Sequence, residues 1–327
     1  MINNTQKKIL AYITEKKETT ANDIVQNFGL TKAIIFRHLK ALIETKKIEK
    51  RGTPPRVFYY PLDQQAPSKD KENIIDNKTI EFINNNYLYI SPAGQILSGV
   101  TGFEEWCQKN NFKIEQKAHE YIETKTKYNT HFKNGLIDGM EKLKQTFSDV
   151  YLDELYYLDF YAIERFGKTK LGYLLLYAKQ TQNKKLMSLV FDEVKAKIQK
   201  FTNDNNISAI GFIPPTVKRE TQFQKELEKA LNIQLPKIKL IKINNGLLIP
   251  QKSLSNLSAK VENARNTIAV DEKNTYNNIL LIDDAVGSGA TLNETAKKIK
   301  GKSLCSGKII GLAITGSFKG FDVISEI

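Results

Sequence analysis

The stretch from Ile279 to Thr291 constrains this chain more than any other. Four apolar residues, Ile279-Leu280-Leu281-Ile282, run into Asp283-Asp284 and then into the small-residue loop Ala285-Val286-Gly287-Ser288-Gly289-Ala290-Thr291. An unbroken apolar run that ends in acids reads as a strand buried on both faces, the kind found in parallel sheets. A helical pattern resumes at Leu292. A Gly-rich loop that opens a helix offers backbone N–H groups to phosphate. Paired carboxylates at the carboxyl end of a parallel strand suit the hydroxyls of a sugar, or Mg²⁺. Phosphate at one end and a diol at the other describe a ribose 5-phosphate site.

The 327 residues leave room for two or three domains. No apolar run nears the roughly 20 residues of a membrane span, so no membrane partner is expected. Residues Met1 to Lys8 lack the apolar core of a signal peptide. Cys107 and Cys305 stand far apart in no metal or redox spacing, and His38, His119 and His131 form no ligand pattern. The expectation is a reducing, cytoplasmic setting and no structural zinc.

The formal charge is +13, which implies a polyanionic partner. Its distribution is more telling than its total. Residues 1–60 carry twelve Lys and Arg against five Asp and Glu, about +7 on a small segment. Within it, Ile9, Leu10 and Ile13 stand at helical spacing. Thr20 precedes a second short helical pattern over 21–28 bearing Ile24, Val25 and Phe28, with Gly29 to supply the turn after it. Thr31 caps a third, with Ile34, Ile35, Leu39 and Leu42 or Ile43 inward. Ile48 to Arg51, a Gly-Thr-Pro-Pro turn and Arg56 to Tyr60 then read as a hairpin. Three helices and a basic hairpin resemble a winged helix-turn-helix over residues 1–62. That resemblance implies DNA as partner, with the third helix in the major groove. Thr31, Lys32, Arg37, His38 and Lys40 on that helix, and Lys50, Arg51 and Arg56 on the wing, are the candidate DNA contacts.

Residues 63–72 are polar and read as a linker. Residues 63–150 as a whole read as linker plus a mainly helical coupling or dimerisation region. Tyr87 to Ile90 suggests a strand, Gly102 to Cys107 begins a helical stretch, and 112–147 reads as long amphipathic helices. From 151 to 327 apolar strands alternate with charged helices. Residues 171–178 read as a strand or a buried helix, 183–201 and 222–231 as helices, and 209–213, 238–243, 279–282 and 309–314 as strands. This βαβ rhythm predicts an α/β fold with a parallel sheet, and ligands beyond the carboxyl ends of its strands.

The strand, the two acids and the loop ending Gly289-Ala290-Thr291 resemble the phosphoribosyl pyrophosphate (PRPP) signature of type I phosphoribosyltransferases. The aromatic run Tyr156, Tyr157, Phe160 and Tyr161, Lys179, and the segment from Gln251 through Lys260 to Asn266 are similar to the ComF branch of that family. The resemblance implies that Asp283 and Asp284 hold ribose hydroxyls and Mg²⁺, the ion reached through water or through PRPP. It implies that Ala285, Val286, Gly287, Ser288, Gly289, Ala290 and Thr291 hold the 5-phosphate. Lys218 and Arg219, in the loop after a strand, suit pyrophosphate, and Lys252, Lys260 and Arg265 belong to a segment resembling the family's hood. One departure stands out. The 6-oxopurine transferases place a base-directed aspartate where this chain has Gly287, and glycine cannot act as a general base.

A winged helix joined to such a domain resembles PRPP-domain regulators of the purine-repressor kind. The leading reading is a DNA-binding regulator, expected as a homodimer, whose second domain takes PRPP or a nucleotide as its signal. An active phosphoribosyltransferase with a regulatory winged helix, and a ComF-like accessory factor of nucleic-acid processing, stand as alternatives. Gly167-Lys168-Thr169 is not a P-loop, because the first glycine of that motif is replaced by Ala162. Ser317 has no histidine near it in sequence, so a hydrolase triad has no support.

Overall fold

The computed structural model describes residues 3–53, 56–62, 75–217, 219–243, 254 and 256–317, with 51–53 and 56 described by backbone alone. The chain divides into two compact units between Asn73 and Ile74.

The first unit begins with three helices, α1 (Asn4–Lys16), α2 (Ala21–Phe28) and α3 (Lys32–Glu44). Each starts at the cap that local chemistry favours. Asn3 and Gln6, and Thr20 and Asp23, exchange side-chain and backbone hydrogen bonds as capping boxes, and Thr31 accepts from the Ile34 N–H. Gly29 ends α2 in the left-handed conformation, φ 62°, which glycine adopts without strain. Strands β1 (Ile48–Thr53) and β2 (Arg56–Pro61) pair antiparallel from Ile48↔Pro61 to Thr53↔Arg56. Thr19 adds a bridge to Tyr59, tying the α1–α2 turn to the hairpin. Ile9, Ile13, Ile24, Ile35, Leu39, Leu42, Ile48 and Tyr59 form the core. This is a winged helix-turn-helix, with the order of elements expected.

The second unit opens with α4 (Asn77–Asn86), the hairpin β3 (Leu88–Ile90) and β4 (Ile96–Ser98), and helices α5 (Gly99–Lys109) and α6 (Ile114–Asn129). A second hairpin, β5 (Phe132–Lys133) and β6 (Leu136–Asp138), leads to α7 (Met140–Thr146) and β7 (Glu154–Phe160). The minor hairpin β8 (Ala162–Ile163) and β9 (Gly167–Lys168) precedes α8 (Lys170–Thr181) and α9 (Lys184–Asp204). Then follow β10 (Ile207–Phe212), α10 (Phe223–Leu231), β11 (Leu240–Lys242), α11 (Leu257–Thr267), β12 (Ile268–Val270), β13 (Asn278–Val286), α12 (Ala290–Gly301) and β14 (Ile309–Gly316).

The main sheet has the order β10-β13-β14-β7-β6-β5. The first four strands are parallel and the last two join antiparallel at the edge. In β13 the run Ile279 to Ile282 is buried on both sides. Ile279 and Leu281 pack into one core with Leu292, Ala296 and Ile299 of α12. Leu280 and Ile282 face the other, with Leu174, Val190 and Leu227 of α8, α9 and α10. A strand covered on both faces has no use for alternation, which is why it reads as a continuous apolar run.

Several sequence expectations are revised here. Residues 74–150 are not set apart from the sheet, because Ile83, Tyr87, Phe103 and Tyr121 share one core with Tyr157, Leu281 and Ala313. That region is not all helix either. The span 112–147 breaks at Asn134 (φ 52°) and Gly135 (φ 79°), the turn of the β5–β6 hairpin. An Asn-Gly pair favours such a turn because both residues tolerate positive φ. Residues 171–178 form a helix, started by Thr169, whose hydroxyl accepts from the Gly172 N–H. The strand expected over 238–243 does not continue the main sheet. Ile238 bonds the edge of β10 through the Ile210 carbonyl, and β11 then turns away to pair antiparallel with β12.

Candidate functional site

Parallel strands place the loops after β7, β10, β13 and β14 at one edge of the sheet. Asp283 and Asp284 lie near the end of β13, and the loop that follows closes at Gly289 (φ 83°), the N-cap of α12. The first N–H groups of a helix have no intrahelical acceptor and carry the positive end of its dipole. Loop and helix start therefore present backbone N–H groups directly beyond two carboxylates, an arrangement suited to an anion.

Two lysines approach those carboxylates. Lys179, in the last turn of α8, forms an ion pair with Asp284. Arg219, in the loop after β10, donates to the backbone carbonyl of Lys179, and the Thr221 N–H donates to Gln182 Oε1 at 2.8 Å. The loop after β10 is thereby pinned to the end of α8. Lys242 of β11 donates to Thr267 Oγ1 at 2.6 Å, and its charge bears on Asp283. Burial pushes the Asp283 carboxyl well above the ordinary carboxylate range, and the Asp284 charge adds to this against the opposing charges of Lys179 and Lys242. The Asp284 N–H donates to Asp283 Oδ1 at 2.8 Å. Tyr161, just past β7, is buried, and its hydroxyl is pushed up to about 12 by burial and by the Asp284 charge.

The turn at Gly287 carries a cation that no pattern in the sequence reveals. Lys142 of α7 donates to the Gly287 carbonyl at 2.6 Å and to the Ser317 carbonyl. Burial, with the charge of Lys260 on α11 beside it, lowers the Lys142 ammonium to about 8. The residue is separated from Gly287 by 145 positions, and no local pattern connects them.

The other expected residues divide. Lys260 reaches the loop side through its effect on Lys142. Arg265 instead pairs with Glu294 of α12 at 3.3 Å, and Lys298 donates to its carbonyl at 2.6 Å, so Arg265 clamps α11 onto α12. Lys218 and Lys252 lie outside the described residues. Gly167 and Lys168 form β9 and lead into Thr169, the N-cap of α8.

Two carboxylates, one of them already paired with an ammonium, do not make a cage for a metal. No group of three or more His, Cys, Asp or Glu that could hold an ion occurs among the described residues. Mg²⁺ commonly takes one or two carboxylates and completes its shell with water and phosphate oxygens. The acids present fit an ion delivered on a phosphorylated ligand and not one held by the protein alone.

Ionised Asp283 is costly to the fold. Its carboxyl titrates higher in the folded protein than the value of about 3.9 expected when unfolded, so stability falls as pH rises through that window. Asp283→Asn should match the parent in melting temperature near pH 4 and exceed it near pH 8. The gain expected is a few degrees, at roughly 2–4 °C per kcal/mol for a unit of this size. Equal melting temperatures at both pH values would remove the burial argument.

In the first unit, Lys32, Arg37 and Lys40 are exposed on the outer face of α3, and Lys50 is exposed on β1. Thr31 spends its hydroxyl on the helix cap. His38 is corrected from groove residue to inner residue: it is 7 % exposed and lies on the side of α3 that carries Ile35, Leu39 and Leu42. The side chains of Arg51 and Arg56 lie outside what is described.

Residues 3–45 match the family of bacterial regulatory proteins called the arsR family. No curated protein matches the chain. No helix among the described residues is long and apolar enough to cross a membrane.

Proposed function

We propose that this chain is a DNA-binding regulator whose sheet domain takes a phosphoribosyl ligand, PRPP or a nucleotide, as its signal. The match of the first unit to a regulatory helix-turn-helix family supports a DNA-binding regulator. The single observation behind the ligand is the run along β13: two carboxylates, then the Gly287–Thr291 turn into α12, with Lys142 anchored on that turn. In this reading the loop N–H groups and Lys142 hold the 5-phosphate, and Asp283 and Asp284 hold ribose hydroxyls. Lys179, Arg219 and Lys260 meet the remaining phosphate charge. Mg²⁺ bound to the ligand supplies charge neutralisation.

A homodimer would set two α3 helices in successive major grooves of a palindromic site. Ligand binding then acts by favouring one of two states of the protein that differ in DNA affinity. PRPP with Mg²⁺ should change DNA affinity by about 5- to 150-fold, and DNA should change PRPP affinity by the same factor. Pyrophosphate release with a panel of bases and amines should stay at background. Steady release with one acceptor, together with DNA affinity indifferent to PRPP, would establish a transferase instead. The raised Asp283 carboxyl favours that second reading, since a carboxyl able to carry a proton near neutral pH is suited to acid–base chemistry.

A further inference from the structure

The inner side of α3 accounts for its buried apolar residues, Ile35, Leu39 and Leu42, all at 0–1 % exposure. Phe36 is different. It is 50 % exposed and lies on the flank of the helix, about 100° round from Ile35, where a folded protein has no need of a phenyl ring. Its place there is specific. Residues four apart on a helix share a row, so Phe36 stands between Lys32 and Lys40, with Ala33 and Arg37 alongside. All of these are exposed. An aromatic ring in the centre of a cationic arc is poorly suited to a second copy of the same face, because the like charges around it repel. It suits a surface that is anionic at its rim and apolar at its centre.

The major groove of DNA is such a surface. Phosphates line its edges, and the 5-methyl of thymine is an apolar feature on its floor. The early residues of a recognition helix are those that reach base edges. Phe36 is the fifth residue of the 13-residue helix. We propose that Phe36 is a specificity residue that reads thymine by packing its ring against the 5-methyl group, while Lys32, Arg37 and Lys40 engage the surrounding phosphates and base edges. The inference rests on DNA binding by the first unit and is independent of the ligand site in the second.

The test begins with selection by the full chain from a random duplex library. In the duplex recovered, each thymine is replaced in turn by deoxyuridine, which lacks only the methyl group. At one thymine per half-site, replacement should weaken binding by about 3- to 10-fold. Phe36→Ala should bind both duplexes with the weakened affinity, and Phe36→Leu should keep part of the preference. Circular dichroism should show both variants folded, since the site is exposed. Indifference of the parent protein to every replacement overturns the inference. So does a Phe36→Ala protein that retains the full preference, including one whose only change is in oligomeric state, which would assign the ring to a contact between copies. Salt-dependent binding with no methyl effect overturns this inference alone. Recovery of no duplex overturns DNA binding along with it.

Discussion

Raising salt from 50 to 200 mM should weaken DNA binding by about 150-fold if one winged helix docks, and by about 20,000-fold if two do. The figures follow from the cations on the exposed face. Lys32, Arg37, Lys40 and Lys50 give about four phosphate contacts per domain, and log affinity falls with log salt by roughly 0.9 per contact. The expected slope is therefore about −3.6 for one domain and about −7.2 for a pair. Fluorescence anisotropy across a salt series measures it and reports the number of domains engaged. Removing residues 1–62 should abolish binding at all salt concentrations. A shortened chain that still binds with the same slope would transfer the footprint to the second unit.

The other large effect is expected at β13. Replacing both Asp283 and Asp284 by Asn removes two charged hydrogen-bonding groups while keeping shape. At roughly 1.5–3 kcal/mol for each charge-assisted bond, affinity for PRPP with Mg²⁺ should fall by about 100-fold or more. The double variant should stay folded at pH 8, because relief of the raised Asp283 charge offsets loss of the Asp284–Lys179 ion pair. Loss of binding without loss of stability separates a ligand role from a structural one. Lys142→Met tests the other end. It should weaken binding of ribose 5-phosphate, which has no pyrophosphate, about as much as it weakens PRPP. Calorimetry showing no change in the folded double variant would remove the acids from the site, and a Lys142 effect confined to PRPP would move that lysine to the pyrophosphate side.

What could be read from the chain beforehand depended on whether the information was local. Thr20 with Asp23, Gly29 and Thr31 are cap and turn signals that act over three or four residues, and the helix limits they imply are those observed. Ile279 to Ile282 was legible as a doubly covered strand because the absence of any polar residue is itself the signal. The same property made 171–178 ambiguous, since a buried helix also needs no polar face there. The hydroxyl of Thr169 settles it, and that cap was present in the sequence. Asn134-Gly135 is likewise a local signal, and it marks a hairpin inside a span whose amphipathic pattern alone reads as helix. Histidine is chemically fit for both a groove and a core, so residue type alone does not place His38. The partners of Arg265 and Lys142, Glu294 and Gly287, come from other parts of the chain, so no local pattern shows either contact. Local patterns give elements, whereas the cations around a site are chosen by tertiary packing.

The β5–β6 hairpin sets where this protein can be cut. It covers the open edge of β7, with Ile137 opposite Tyr157 and Asp138 opposite Tyr156, and it ends the sheet in a strand only two residues long. A gene fragment starting near residue 150 would keep every parallel strand and still fail as a soluble domain. Its β7 would present a row of unpaired N–H and C=O groups, an invitation to join sheet to sheet with its neighbours. It would also leave Tyr157 without the hairpin and Gly287 without Lys142. For shuffling, fusion or crystallisation, the portable piece is the span from Ile74 onward, and the apparent start of the βαβ pattern is the wrong place for the scissors.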